Sequence, residues 1–241
     1  MKDTIFVFTL VALFGLSATA SAAGYKVEAV TNGGSVSGKV TFTGKDPAPE
    51  VYTISKNTDV CGKKREIDFV KVNNGALTDV VVYLDKVKSG KPFKVAEGNV
   101  DQKKCRFEPF FSVMANKKNL LVKNSDSVAH NIHGYELMGA KKRTAFNVNQ
   151  PDKDSVLKKK VKLRRGTAMK IECDQHDFMH GFVFAAKSPY YAVVGADGSF
   201  TIDNIPPGKY TIKSWHGTLG EQKSSVEVTA GGKASVDFSY K

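Results

Sequence analysis

The feature that most constrains the fold is a repeated alternation of short apolar and polar runs with turn signals. Residues 33–44 read Gly-Gly-Ser-Val-Ser-Gly-Lys-Val-Thr-Phe-Thr-Gly, and residues 79–84 read Asp-Val-Val-Val-Tyr-Leu. Residues 195–212 place Asp-Gly and Pro-Pro-Gly turns between further runs, and residues 225–229 and 234–240 continue the pattern. Such runs predict β-strands, and no long stretch has the period of a helix. The sequence therefore predicts an all-β protein.

The first 22 residues have the features of a secretory signal peptide. Lys2 supplies a positive charge, residues 5–16 an apolar run, and Ala20-Ser21-Ala22 a small-residue cleavage site. The apolar run is too short to cross a bilayer as a helix. We therefore expect a mature protein that begins near Ala23, is periplasmic or extracellular, and has no stable membrane insertion. The alternative is that the segment is retained as an N-terminal anchor.

Three cysteines in an exported chain leave one without a disulfide partner. We predict a disulfide between Cys61 and Cys105, with two buried thiols as the alternative. Cys173 is then the free thiol, and a bound metal would keep it reduced. The spacing excludes Cys-x-x-Cys-His for covalent haem and Cys-x-x-Cys for a thioredoxin-type pair or structural zinc.

Residues 173–179, Cys-Asp-Gln-His-Asp-Phe-Met, concentrate possible metal ligands in one loop. The loop offers the thiol of Cys173, the imidazole of His176 and the thioether of Met179. Strand-like runs at residues 170–172 and 181–184 flank it. The alternative to a metal site is that the cysteine and histidine are close by chance and that the methionine fills a hydrophobic core.

A further imidazole, His130, follows a strand-like run and the turn signal Asn-Ser-Asp at residues 124–126. A thiolate, two imidazoles and a distant thioether make up the ligand set of a blue-copper site. The sequence therefore predicts that His130, Cys173 and His176 form a plane around copper, with Met179 as the weak axial ligand.

The motifs that carry these ligands resemble the two copper loops of the cupredoxin family. His130-Asn131-Ile132-His133 and Cys173-x-x-His176-x-x-Met179-x-Gly181 are closest to the short-loop amicyanin type. The similar region runs roughly from residue 106 to 187 and includes Phe107-Glu108-Pro109. The resemblance implies one type 1 copper site with the ligands named above, with Asn131 bracing the two loops. It also implies that His176 lies near the surface as the electron port.

The sequence also gives expectations for Asp177 and for the three remaining histidines. Asp177 stands where the amicyanin type usually has proline, which would loosen the loop. His133 points away from His130 on a strand and is expected beside the site, with a ligand role as the alternative. His180 is expected to face solvent near the site. His216 is expected to be a packed, satisfied ring in the other part of the chain, although it could approach the copper loops if the two parts dock there.

The two ends of the chain share a second resemblance. Residues 34–40, Gly-x-Val-Ser-Gly-x-Val, and the Asp-Gly-x-Phe and Pro-Pro-Gly-x-Tyr motifs resemble the carboxypeptidase-regulatory-like, transthyretin-related β-sandwich. This implies that residues 23–100 and 188–241 form one sandwich into which the cupredoxin-like Greek-key sandwich, residues 101–187, is inserted. A tandem arrangement, with the first strands in the copper domain, is the alternative.

The chain has a formal net charge of +12, with a basic run at residues 158–165, Lys-Lys-Lys-Val-Lys-Leu-Arg-Arg. One interpretation is a solvated edge strand that resists aggregation. The other is a docking surface for an acidic redox protein such as a c-type cytochrome. Nucleic acid is disfavoured as a partner because the predicted compartment lacks it and no aromatic-interleaved binding motif is present. The oligomeric state does not follow from the sequence.

Electron transfer is the function that these features favour. Five histidines, two or three of them already committed, are too few for the trinuclear cluster of a multicopper oxidase. An axial Met179 would also remove the open coordination position that catalysis needs, so we expect no enzymatic activity. The alternatives are copper storage or delivery, suggested by the additional His133 and His180, and a cell-surface interaction module in which the metal is incidental.

Overall fold

The structure is a computed structural model that describes residues 24–94 and 97–241. The predicted signal peptide, residues 1–22, lies outside the described residues. Strands make up 57% of the described residues and helix only 2%, which confirms the predicted all-β class. None of its helices is long and apolar enough to cross a membrane.

The strands are numbered in chain order, and the one helix of the described residues, α1, spans Thr58–Cys61. The first eight strands are β1 (Lys26–Val27), β2 (Gly34–Phe42), β3 (Glu50–Thr53), β4 (Lys64–Ile67), β5 (Val72–Asn73), β6 (Ala76–Leu77), β7 (Val80–Leu84) and β8 (Ser89–Gly90). The next nine are β9 (Gly98–Gln102), β10 (Phe107–Glu108), β11 (Phe111–Ala115), β12 (Asn119–Asn124), β13 (His130–Met138), β14 (Lys141–Gln150), β15 (Val156–Lys160), β16 (Ala168–Cys173) and β17 (His176–Ala186). The last six are β18 (Tyr191–Val193), β19 (Ser199–Ile205), β20 (Gly208–His216), β21 (Gly220–Val228), β22 (Lys233–Ser235) and β23 (Phe238–Tyr240).

Strands from both ends of the chain build the first sandwich. One sheet has the order β18-β7-β20-β21, and the other has the order β19-β2-β6-β5, with β22 and β23 also pairing with β2. Alternate residues of these strands, such as Val36, Val82, Ile202 and Ile212, are fully buried in a shared apolar core. This alternation follows from the two-residue repeat of a strand.

The middle of the chain builds the second sandwich. Its sheets have the orders β10-β9-β12-β15 and β11-β17-β16-β13-β14. The core contains Val122, Ile132, Ile171 and Val183, and it also contains the thiol of Cys173. The strand pairs β13–β16 and β16–β17 therefore bring the two predicted copper loops to the same end of one sheet.

The two sandwiches pack against each other through β7 and β17, which are buried on both faces. Val82 and Val183 face the cores of their own sandwiches, whereas their neighbours Tyr83 and Phe184 meet in a third apolar cluster together with Trp215. The rings of Tyr83 and Phe184 lie 5.0 Å apart. Strands that supply two cores read as continuous apolar runs, which explains the sequence Val-Val-Val-Tyr-Leu.

The division of the chain into domains stays a prediction. The strand pairing can nevertheless be compared with the predicted boundaries. The pairing of β2 with β19 and of β7 with β18 is what an insertion requires. The segment from β3 to β4 departs from the predicted bounds, because Ile54 and Cys61 are buried in the core of the second sandwich. Strand β9 also begins before residue 101 and pairs with β12 of the second sandwich.

The basic run predicted as an edge strand or docking surface begins in β15. This strand pairs with β12 alone in its sheet, so it forms a sheet edge. Lys158 and Lys160 are exposed on it. Exposed lysines on an edge oppose strand addition by another chain, and a docking role for this run stays a prediction.

Candidate metal centre

The turn from β16 to β17 positions Cys173 and His176. The two residues are register partners at the ends of antiparallel strands, with Asp174 and Gln175 forming the turn between them. Both side chains are buried, and the Cys173 Sγ lies 3.6 Å from the His176 Nδ1. A two-residue turn between long paired strands leaves these side chains little freedom, so the sheet fixes their separation.

His130 begins β13, which lies beside β16 in the same sheet. Its Nδ1 is 3.1 Å from the Nδ1 of His176, and its side chain is fully buried. One donor atom from each of His130, Cys173 and His176 lies within 4.8 Å of the other two. The structure therefore brings three of the four predicted ligands into one buried cluster, although His130 and His176 are 46 positions apart in the sequence.

The outer nitrogens of both rings meet oxygen acceptors. The Nε2 of His130 lies 2.9 Å from Asp126 Oδ2, and the Nε2 of His176 lies 3.0 Å from Asn57 Oδ1. An acceptor facing Nε2 places the ring proton on Nε2, which leaves the lone pair on Nδ1. The Nδ1 lone pairs of the two rings consequently face each other beside the thiol.

Burial keeps both rings neutral. Loss of hydration lowers the pKa of His176 to about 4, with His130 as the next cause. Burial also lowers the pKa of His130, against the opposing effect of Asp126. Two inward lone pairs 3.1 Å apart repel each other unless a proton or a metal cation lies between them. Neutral imidazoles beside a soft thiol fit copper or another thiophilic transition metal.

Asp126 connects this cluster to the backbone of residues 104 and 105. Besides the ring of His130, its carboxylate accepts the backbone N–H groups of Lys104 at 2.6 Å and Cys105 at 2.7 Å. A carboxylate that holds the outer nitrogen of a metal-binding histidine fixes the ring orientation and raises its basicity. Asp126 is four residues before His130, and this spacing could have indicated the contact from sequence.

Asn131 lies between the two loops, at the position predicted for a bracing residue. Its backbone N–H points to the Cys173 Sγ at 3.5 Å, and its Oδ1 accepts the backbone N–H of Asp174 at 2.7 Å. Its Nδ2 donates to the side chains of Asn147 and Asp174. Burial raises the pKa of the Cys173 thiol, while backbone hydrogen bonds, first that of Asn131, oppose the rise. A metal cation would stabilise the thiolate further.

Met179 lies three residues after His176 on β17. Its side chain is 1% exposed and belongs to the same buried cluster as Cys173. Met179 therefore lies in the core that also contains Cys173, and its role as the axial ligand stays a prediction.

The other predicted neighbours occupy different places. The His133 ring stacks on Tyr135 and lies 3.0 Å from Asp174 Oδ1 and 2.9 Å from Thr144 Oγ1, outside the cluster. The expectation that His180 faces solvent is wrong. Its side chain is 11% exposed, with its ring against those of Tyr52 and Phe69, because the β3–β4 hairpin and the chain after it cover this face.

His216 is a satisfied ring, as expected. It is buried at the end of β20 in the first sandwich, and its Nδ1 accepts the backbone N–H groups of Thr218 and Leu219. Its hydrogen bonds are therefore made within its own turn, and its ring is not part of the metal cluster.

The expected surface position of His176 is also wrong. Its side chain is 1% exposed, because Asn57, immediately before α1, lies over its outer edge. The segment that carries Asn57 has no periodic pattern that could have indicated this contact. The predicted disulfide between Cys61 and Cys105 is present and fastens the far end of the same segment.

A family model described as polysaccharide lyase family 4, domain II, matches residues 174–236, about a quarter of the chain. No comparison supports the expected likeness to carboxypeptidase-regulatory-like sandwiches. None of the curated proteins matches.

The solved structures that are similar to part of the chain include the following two. A purple cupredoxin from Nitrosopumilus maritimus is 16% identical, with 37% of this chain and 99% of that chain covered and a TM-score of 0.31. A copper-containing nitrite reductase from Thermus scotoductus SA-01 is 12% identical, with 43% of this chain and 24% of that chain covered and a TM-score of 0.30.

Proposed function

We propose that this protein binds one copper ion through His130, Cys173, His176 and Met179 and carries single electrons between redox partners. The observation that carries the proposal is the orientation of the two buried rings: both Nδ1 atoms face inward beside the free thiol, while both Nε2 atoms are held by oxygen acceptors. Bound copper would supply a one-electron Cu(II)/Cu(I) couple tuned by the weak axial thioether.

The chain's own residues prepare this site for electron transfer. The sheet fixes Cys173 and His176, while Asp126 and Asn57 fix the two ring orientations. A site whose ligands move little between oxidation states exchanges electrons without large rearrangement. The protein is proposed to act outside the cytoplasm, to be no enzyme, and to use an acidic redox protein such as a c-type cytochrome as its partner.

Titration of the metal-free protein with Cu(II) tests the binding proposal. The expected result is one equivalent of copper and an intense visible band from thiolate-to-copper charge transfer. The matched control is His216→Asn, which changes a buried histidine outside the cluster and should leave both results unchanged. Absence of the band in the wild-type protein, or a band that persists after Cys173→Ser, would contradict the ligand assignment.

Copper storage or delivery is a second candidate, favoured by the cover over His176. A ring that is 1% exposed offers a partner no direct contact, and a closed site retains metal. Reversible cycling with a redox partner supports electron transfer, whereas transfer of copper to a metal-free partner or chelator without cycling supports storage or delivery.

A further inference from the structure

A short stretch before β4 covers the outer edge of His176. Residues 54–61, here named the covering segment, run from a buried Ile54 through Asn57 to α1 and the buried Cys61. Neither end belongs to the strands that carry the candidate ligands. The covering segment therefore adds a wall to the metal centre from a distant part of the chain.

The side chain of Asn57 is turned toward the metal centre instead of toward its own helix. Asn57 occupies the position before α1, where an asparagine side chain usually caps the helix, yet it makes no side-chain cap hydrogen bond. Its Oδ1 instead accepts the Nε2–H of His176 at 3.0 Å. The helix turn is closed by the backbone carbonyl of Asn57, which accepts the N–H groups of Val60 and Cys61.

The backbone of Asn57 has the left-handed conformation, with φ of +53°. Asparagine tolerates this conformation better than most residues, and glycine adopts it without cost. The side chain of Asn57 can therefore be removed by glycine without straining the backbone or breaking a helix cap.

Three contacts hold the covering segment in place. Ile54 and Cys61 insert into the core of the second sandwich, and Cys61 is bonded to Cys105. The Nη2 of the buried Arg65 donates to the carbonyls of Cys61, at 3.2 Å, and Lys104, at 2.9 Å. These contacts fasten the covering segment to the chain beside Cys105.

The same disulfide joins the supports of both histidines. On one side, Cys61 ends the segment that carries Asn57, which holds His176. On the other side, the backbone N–H of Cys105 donates to Asp126, which holds His130. The two outer hydrogen bonds of the centre are thus parts of one cross-linked unit.

We infer that Asn57 is a positioning residue of the metal centre that fixes the ring of His176 and closes the site to solvent. The inference rests on the proposed function for the identity of the metal, and its geometry stands without metal. One consequence is that a redox partner contacts the covering segment and not the ring of His176. Another is that metal leaves the site slowly.

Labelling with diethyl pyrocarbonate tests this inference on the metal-free protein, because the reagent modifies accessible neutral imidazoles. Peptide mass spectrometry should find His176 protected in the wild-type protein and in Asn57→Asp, which keeps an oxygen acceptor. His176 should be modified in Asn57→Gly. The buried His216 reports on the fold and should stay unmodified in all three. The matched control is Asn74→Gly, which changes an exposed asparagine whose backbone is also left-handed and should leave His176 protected.

A second measurement follows the loss of copper from the loaded protein to a chelator. Residues that hold the outer nitrogens of metal ligands change metal affinity by about 10-fold to 100-fold when they are removed. We therefore expect Asn57→Gly to speed copper loss by at least about 10-fold and Asn57→Asp to restore slow loss.

The outcomes separate the two proposals. Equal protection of His176 in the wild-type protein and Asn57→Gly, or rapid modification in the wild-type protein, would overturn the role of Asn57. Failure of the wild-type protein to bind copper would overturn the proposed function, while the labelling result would still decide whether Asn57 closes the site.

Discussion

Each sandwich buries a histidine at the end of a strand, and the two rings are satisfied in opposite ways. His216 ends β20 and accepts two backbone N–H groups of its own turn at Nδ1. His176 begins β17 and directs its Nδ1 toward His130 and Cys173, while a side chain 119 positions away holds its Nε2. Both are almost fully buried. What distinguishes a candidate ligand from a packed ring is therefore the partner of its inner nitrogen, and not its burial.

The largest effect expected from this comparison follows the loss of the thiol. Cys173→Ser should abolish the charge-transfer band of the copper-loaded protein, because serine cannot supply a polarisable thiolate. Visible absorption measures the band, and far-ultraviolet circular dichroism should show an unchanged β-sheet signal. A band that survives with the same intensity would show that Cys173 is no ligand.

Replacing the buried histidine of each sandwich by leucine sharpens the comparison. His176→Leu should remove tight copper binding, whereas His216→Leu should keep it and lower stability. In His216→Leu the partly buried N–H groups of Thr218 and Leu219 lose their acceptor, at a cost of about 0.5–1.5 kcal/mol for each hydrogen bond. Copper titration and urea unfolding measure the two effects. Loss of copper binding in His216→Leu would break the distinction.

Removal of the disulfide, which lies in the second sandwich, should give the next largest effect, a loss of stability. The double variant Cys61→Ser/Cys105→Ser removes a cross-link between residues 44 positions apart. The chain-entropy estimate for a loop of this size is about 4 kcal/mol. Urea unfolding of the metal-free protein should show a loss of this order, compared with wild type under non-reducing conditions. Unchanged stability would mean that packing and the hydrogen bonds of Arg65 hold the covering segment without the disulfide.

The pH dependence of stability tests the burial of His216. Loss of hydration lowers its pKa to about 4 in the folded protein, whereas the unfolded value is about 6.5. The unfolded chain therefore binds more protons between these values, and this ring causes stability to fall as the pH drops from about 6.5 to about 4. The loss should reach an order of about 3 kcal/mol by pH 4.

His216→Gln isolates that contribution because its side chain stays neutral. Urea unfolding of the metal-free wild type and variant across pH 4 to 7 should give a smaller loss for the variant. Parallel curves would show that the His216 ring titrates normally in the folded protein.

The smallest effect is expected at His133, beside the centre but outside the cluster. His133→Gln should keep the copper stoichiometry and the visible band, because the His133 ring contacts Asp174, Tyr135 and Thr144. Stability should change by less than about 1 kcal/mol at this half-buried position. Loss of the band in His133→Gln would return it to the ligand set.

Local patterns carried much of what could be predicted from the sequence. The alternating runs predicted β2 and β7, and the odd cysteine predicted the disulfide and the free thiol. The strand-like runs at residues 170–172 and 181–184 predicted a loop between two strands, and the structure shortens that loop to a two-residue turn because β17 already begins at His176. These signals depend on neighbours in the chain, so they can be read from the sequence.

Long-range contacts account for what was missed. Asn57 reaches His176 across more than a hundred residues, and an asparagine before a short helix gives no sign that its side chain serves another partner. The burial of His176 and His180 was missed for the same reason, since the covering chain comes from residues 50–69. Resemblance also misled, because the cupredoxin pattern implied an exposed His176.

The most direct test of the central claim is the visible absorption and electron paramagnetic resonance of the Cu(II)-loaded protein through reduction by ascorbate and reoxidation. Ligation by the thiol of Cys173 and the Nδ1 atoms of His130 and His176 predicts an intense charge-transfer band and a narrow copper hyperfine splitting. Both should disappear on reduction and return on reoxidation. A weakly coloured complex with ordinary tetragonal copper, or no copper binding, would contradict the account.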